Sequence, residues 1–182
     1  VLAGKLRSYA EKGMTGKPLR IMAAGIPNVG KSSFINRAVK GASAKTENRP
    51  GVTRGNQWFT VDRQLELLDT PGVLWPKFED KTVGEHLAFT GAVKDSILDT
   101  ELLAMRLLEL LAGNYPEKLA ARYGELNFGE DSYGLLCQIG KKRGMVVRGG
   151  ETDTERAANM LLEEYRNCKI GNMTLERVRD YA

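Results

Sequence analysis

Two hydrophobic rhythms divide the chain. In the first half, short apolar runs alternate with helical repeats; after residue 98 only helical repeats remain. Leu2, Leu6 and Tyr9 recur at helical spacing and predict a helix over residues 1–12, followed by a Gly/Pro turn at 13–18. Residues 19–24 are mostly apolar and stop at Gly25, which predicts a buried strand. Residues 31–39 return to helical spacing, with Phe34, Ile35 and Ala38 expected on the inner side. Residues 40–56 are polar and loop-like, with a Pro-Gly turn at 50–51. Residues 57–61 and 64–68 predict two strands joined at Asp62-Arg63, then a loop at 73–82 and a helix at 83–93. Four helices follow, at 101–112, 116–123, 131–142 and 152–167, the last capped by Thr152 or Asp153. Met145-Val146-Val147 is too short to count as a strand. The expected organisation is an α/β domain over residues 1–98 and a small all-α domain over 99–182.

Composition narrows the class. Hydrophobic residues make up 42% of the 182, enough for a core and too many for general disorder. No run of eighteen apolar residues occurs, so a membrane span is not expected, and no charged-then-apolar leader opens the sequence. Cys137 and Cys168 are isolated, without the paired spacing of a zinc or redox site; one disulfide is formally possible, and the plainer reading is two buried or partly buried thiols in a reducing cytoplasm. The single histidine, His86, excludes a histidine cluster. The net charge of +4 conceals an asymmetry: residues 1–54 carry +9, the remainder −5. A concentrated basic excess suits a polyanion such as RNA, or equally a solvated surface with Lys31 serving a nucleotide.

The chemistry is concentrated in three segments. Gly25-Ile26-Pro27-Asn28-Val29-Gly30-Lys31-Ser32 fits G-x-x-x-x-G-K-[ST] between a predicted strand and a predicted helix. In that setting glycines let successive backbone N–H groups turn toward phosphate, and the helix N-terminus adds favourable partial charge. Gly25, Asn28, Val29, Gly30, Lys31, Ser32 and Ser33 are therefore the expected nucleotide-binding residues, with Lys31 reaching the β and γ phosphates and Ser32 a ligand for Mg²⁺. Asp69-Thr70-Pro71-Gly72 follows 38 residues after Lys31, at the end of an apolar strand. Asp69 is expected to hold Mg²⁺ through water, and the Gly72 N–H to meet the γ-phosphate and sense its loss. Between them lies Arg49-Pro50-Gly51-Val52-Thr53-Arg54. Thr53 is the candidate to close over Mg²⁺ and the γ-phosphate; it and Lys31 are the expected catalytic residues.

These elements resemble the translation-factor-related GTPases. PNVGKSS, RPGVTR and LLDTPGVLWP are similar to one branch, the circularly permuted ribosome-biogenesis GTPases of the YlqF (RbgA) type. The tail fits the same branch: Gln138 to Gly144, Arg148-Gly149-Gly150 and Tyr165 to Gly171 resemble its helical C-terminal domain. The resemblance spans nearly the whole chain and implies a circularly permuted P-loop NTPase domain, incomplete here, binding GTP and GDP with Mg²⁺. It further implies a switch in assembly of the large ribosomal subunit, with the subunit precursor and ribosomal RNA as partners and Lys141, Lys142, Arg143 and Arg148 as RNA-binding candidates. A cytoplasmic monomer is the default expectation, with a mitochondrial or other organellar matrix as the alternative place.

The sequence departs from a complete GTPase in two ways. The guanine-reading N/T-K-x-D motif is absent; in the permuted family it precedes the P-loop, so a preceding segment is expected to carry it. The water-orienting glutamine after D-x-x-G is replaced by Val73, followed by Leu74 and Trp75, and none of these can orient water. The resemblance supplies instead a histidine from the preceding part or a rearrangement on the ribosome; His86 is a poor substitute. In related GTPases an asparagine at the place of Asn28 helps hold K⁺ beside the phosphates, which implies K⁺ stimulation. Two alternatives stand beside the GTPase: a nucleotide-gated RNA- or ribosome-binding module with negligible hydrolysis, and a P-loop ATPase, against which Asp-Thr-Pro-Gly argues.

Overall fold

The computed structural model describes residues 2–39, 55–75, 80–93 and 99–176. The chain divides into two compact units, Val1–Lys77 and Phe78–Ala182. Among the described residues, no helix is long and apolar enough to cross a membrane. Of the predicted loop at 40–56, residues 40–54, with the Pro-Gly turn and Thr53, lie outside the described residues.

The first unit contains helix α1 (Leu2–Glu11), strand β1 (Leu19–Ala23), helix α2 (Lys31–Ala38) and strands β2 (Gln57–Asp62) and β3 (Leu65–Asp69). The order across the sheet is β1-β3-β2. β1 runs parallel to β3, with Leu19 opposite Leu65 and Ala23 opposite Asp69. β2 and β3 form an antiparallel hairpin, Phe59 opposite Leu67, with an irregularity between Thr60 and Asp62. The hairpin turn is tied by the Asp62 carboxylate, which accepts from Gln64 N at 2.6 Å. Alternation along the strands puts Phe59 and Leu67 on one face, where they pack with Ile35 and Val39 of the α2 segment. The opposite face carries Arg20, which bonds Glu66 at 2.8 Å and stacks over Trp58 at 5.0 Å.

Two expectations fail here. β1 was read as buried, yet Ile21 is 37% and Met22 60% exposed, because among the described residues β1 is paired on one side only and one sheet face is uncovered. Phe34 was expected inward and is 63% exposed. One residue is about 100° of helical turn, and it is Ile35, fully buried, that meets the sheet.

The second unit is helical: α3 (Lys81–Phe89), α4 (Thr100–Asn114), α5 (Pro116–Tyr123), α6 (Ser132–Lys142) and α7 (Thr154–Arg166). One core joins Ala88 and Phe89 of α3 to Leu107, Leu108 and Leu111 of α4, Leu119 of α5, Leu136 and Ile139 of α6, and Leu161 and Leu162 of α7. Four of the five helices open on aspartate: the carboxylates of Asp80, Asp99, Asp131 and Asp153 accept from Thr82, Leu102, Gly134 and Arg156 N. α5 opens instead on Pro116, whose missing N–H costs nothing in a first turn. Thr152 is not the α7 cap; it bridges to Val146, so the 145–147 segment makes a single bridge and no strand. Division by chemistry, near residue 98, and division by packing, after Lys77, therefore differ by α3.

Candidate functional site

The glycine loop leaves β1 at its C-terminal end and enters α2, the placement in which α/β sheets bind ligands. Gly30 stands at the N-cap of α2 with φ 89°, and Asn28 holds φ 60°, both in the left-handed region. The Lys31 ammonium folds back over the loop and donates to the carbonyls of Gly25 at 3.1 Å and Ile26 at 2.7 Å. Those bonds hold its side chain across the concave side of the loop, where a phosphate would exchange with the carbonyls as its partner. Gly25, Asn28, Val29, Gly30 and Ser33 are exposed, while Lys31 and Ser32 are half-buried.

The second segment arrives from β3. Asp69 ends the strand, 2% exposed, and its Oδ2 accepts from Ser32 Oγ at 2.6 Å. Its other oxygen, Oδ1, is buried and has no hydrogen-bond partner. A buried, half-satisfied carboxylate is costly unless something completes it. Two hard oxygen donors in contact, one with an idle lone pair, suit a Mg²⁺ that keeps most of its waters. Thr70 Oγ1 donates to the Ala23 carbonyl at 2.7 Å, and Val73 N donates to the Gly25 carbonyl at 3.3 Å, so the Asp-Thr-Pro-Gly turn is fastened to β1 and the glycine loop at two points. Gly72 lies so close to the loop that a Cβ on it would come 2.5 Å from Pro27 N and 2.6 Å from Pro27 Cα. The structure thus brings Lys31, Ser32, Asp69 and Gly72 together; Thr53 is outside the described residues. Val73 and Trp75 point outward, 74% and 69% exposed. His86 sits in the second unit, its Nδ1 2.8 Å from Glu176 Oε1 and its ring beside Phe89.

The basic candidates of the second unit separate into two kinds. Lys141, Lys142, Arg143 and Arg148 are all exposed, and partners rather than burial distinguish them. Arg143 is tethered: its guanidinium lies 3.5 Å from both carboxylate oxygens of Glu164 and 5.3 Å over the Tyr123 ring. Glu164 is 7% exposed and gathers Arg122 as well, at 2.9 and 2.5 Å, and the Tyr123 hydroxyl at 3.0 Å. The Arg122 hydrogen bonds hold its carboxyl below the usual carboxylate range against the opposing effect of burial. Burial, and then the Glu164 charge, push the Tyr123 phenol up, while burial pushes Tyr165 up to about 12.

Sequence reasoning missed Thr70, Pro27 and the Glu164 cluster. Nothing local marks Thr70, whose partner is 47 residues away. Glu164 was findable: it is a lone carboxylate on the stripe made by Ala157, Ala158, Leu161 and Leu162. The cysteines are unpaired as expected, although Cys168 is exposed rather than buried.

Residues 20–110 match the protein-family model described as 50S ribosome-binding GTPase. The chain is 45% identical over 178 residues to Ribosome biogenesis GTPase A of Bacillus cereus, covering 98% of this chain and 60% of that protein. It is 49% identical over 160 residues to Ribosome biogenesis GTPase A of Priestia megaterium, covering 88% and 56%. Among solved structures, the GDP-bound structure of TM YlqF superposes with a TM-score of 0.62 at 26% identity, covering 96% of this chain and 67% of that one. The chain spans 60% of the length of the first of these relatives and 56% of the second.

Proposed function

Since the chain belongs to the 50S ribosome-binding GTPase family, we propose that it binds GTP and GDP and hydrolyses GTP to GDP and phosphate, as a switch in assembly of the large ribosomal subunit. The observation that carries the reading is the Ser32–Asp69 contact with Asp69 Oδ1 left over, at the mouth of a glycine loop whose lysine already spans it. In this reading Gly25, Asn28, Val29, Gly30 and Ser33 cradle the phosphates, and Lys31 neutralises the β and γ oxygens. Ser32, Asp69 and Thr53 would hold Mg²⁺, which when bound neutralises phosphate charge. The Gly72 N–H reads the γ-phosphate. With Val73 in the place of a water-orienting glutamine, the intrinsic rate is slow and a partner particle accelerates it.

The partner reading is supported by the relatives, named for ribosome biogenesis, by the basic excess of the sequence at residues 1–54 and by the exposed Lys141, Lys142 and Arg148. In this reading the protein works in the cytoplasm, on the precursor of the large subunit and its RNA. The test is competition by GTP, ATP and their diphosphates on the full-length protein with Mg²⁺, beside a Lys31→Ala variant. Guanine nucleotides are expected to win, and Lys31→Ala to lower affinity at least about a hundredfold, the worth of charge-assisted bonds to phosphate. Equal competition by ATP would replace the reading with an ATPase.

A further inference from the structure

We propose that Thr70 is a positioning residue for this site, resting on the nucleotide-binding reading above. Its hydroxyl donates to the Ala23 carbonyl at 2.7 Å, one residue beyond the last register pair of the parallel ladder, Ala23 opposite Asp69. The next residue, Pro71, has no N–H and adds no backbone donor to the turn. Beyond Pro71 the turn is held again where Val73 N meets the Gly25 carbonyl at 3.3 Å, a long and therefore weak bond. Thr70 is thus the short, half-buried fastening between the end of β1 and the Asp69–Gly72 turn. It fixes the height of two groups at once: the Asp69 carboxylate against Ser32, and Gly72 against Pro27. Both are groups by which a γ-phosphate and its Mg²⁺ would be told from a diphosphate. A valine keeps the shape and the methyl contacts of Thr70 but leaves the Ala23 carbonyl without this donor.

Thr70 itself touches no phosphate, so its removal is expected to change discrimination more than basal binding. The experiment uses full-length protein as wild type, Thr70→Val and Thr70→Ser. GDP and GTP affinities are measured with fluorescent analogues across a Mg²⁺ titration, and amide hydrogen exchange of residues 69–75 is followed without nucleotide. In Thr70→Val the preference for triphosphate over diphosphate is expected to fall about tenfold, the worth of one buried hydrogen bond. More Mg²⁺ is needed to reach half-maximal triphosphate binding, and amide exchange at residues 70, 72 and 73 accelerates, while Tm stays close to wild type. Thr70→Ser restores all three. Wild-type preference and exchange in Thr70→Val overturn the assignment, and so does a Thr70→Ser variant as impaired as a nucleotide-competent Thr70→Val, since the hydroxyl is then not what matters. If Thr70→Val does not fold, Thr70→Ser decides alone: wild-type discrimination and exchange support the assignment, and their loss overturns it. A wild-type protein that binds no guanine nucleotide removes the underlying reading as well, which separates the two failures.

Discussion

Gly72 is where one missing carbon has the most consequence. Its backbone approaches Pro27 so closely that a methyl group would sit 2.5 Å from a backbone nitrogen, and a proline ring offers no flexible end that could swing away. Gly72→Ala is therefore expected to push the turn off the glycine loop while leaving the sheet and α2 intact. The measurement is paired calorimetry: GDP affinity within about threefold of wild type and GTP affinity lower by about tenfold or more, one lost charge-assisted hydrogen bond. Asn28 poses a separate question on the same loop. It holds φ 60°, a conformation asparagine tolerates better than most residues, and it is exposed beside the place proposed for the phosphates. If its side chain helps hold K⁺, turnover is faster in KCl than in NaCl and Asn28→Ala erases the difference. Equal wild-type rates in the two salts dismiss the idea.

At the level of helices, the Glu164 cluster does the specifying. One carboxylate from α7 draws together Arg122 and Tyr123 of α5 and Arg143 at the end of α6. Removing it leaves two guanidinium groups and a buried phenol without their acceptor. Glu164→Ala is expected to cost on the order of 2 kcal/mol, less than a fully buried ion pair, because the Arg122 and Arg143 side chains keep 31% and 33% of their surface in water. The folded-state pKa of Glu164 is lowered. Its contribution is therefore complete above the ordinary carboxylate pKa of about 4.3 and disappears as pH falls through the lower folded value. Thermal melts of wild type and Glu164→Gln should differ at neutral pH and converge at the acid end; a constant gap down to that end would mean that ionisation of Glu164 is not involved. The helices themselves were legible because their apolar spacing is regular and long, as with Leu103, Leu107, Leu108 and Leu111. The glycine loop and the Asp69 turn were legible because their chemistry needs fixed local spacings. What binds one to the other was not: Thr70 to Ala23, Gly72 to Pro27 and Arg122 to Glu164 are contacts between distant residues, chosen by tertiary packing, and neither periodicity nor motif encodes them. Nor does periodicity say how much of a strand is covered, which explains β1, or where the inner face of a short helix ends, which explains Phe34.

For the molecule as a whole, charge distribution decides how the proposed RNA contact should behave. The basic candidates on the helical unit are not equivalent. All four are exposed, but the Arg143 guanidinium is committed to Glu164 and stacked on Tyr123. A phosphate that recruited Arg143 would have to compete with a carboxylate already in place, while the other three lose only water and counterions on binding. Each phosphate contact contributes roughly 0.7 to 0.9 to the slope of log affinity against log salt. Replacing Lys141, Lys142 and Arg148 together by glutamine is therefore expected to reduce that slope for large-subunit particles by roughly two. The nucleotide affinities should stay unchanged. Arg143→Gln is expected to do the reverse, lowering the melting temperature while leaving the salt slope near wild type. Sedimentation of the full-length variants with purified particles across a salt series reads both quantities. A slope unchanged by the triple replacement would mean that the particle is held elsewhere, with the +9 stretch of sequence at residues 1–54 the next segment to neutralise.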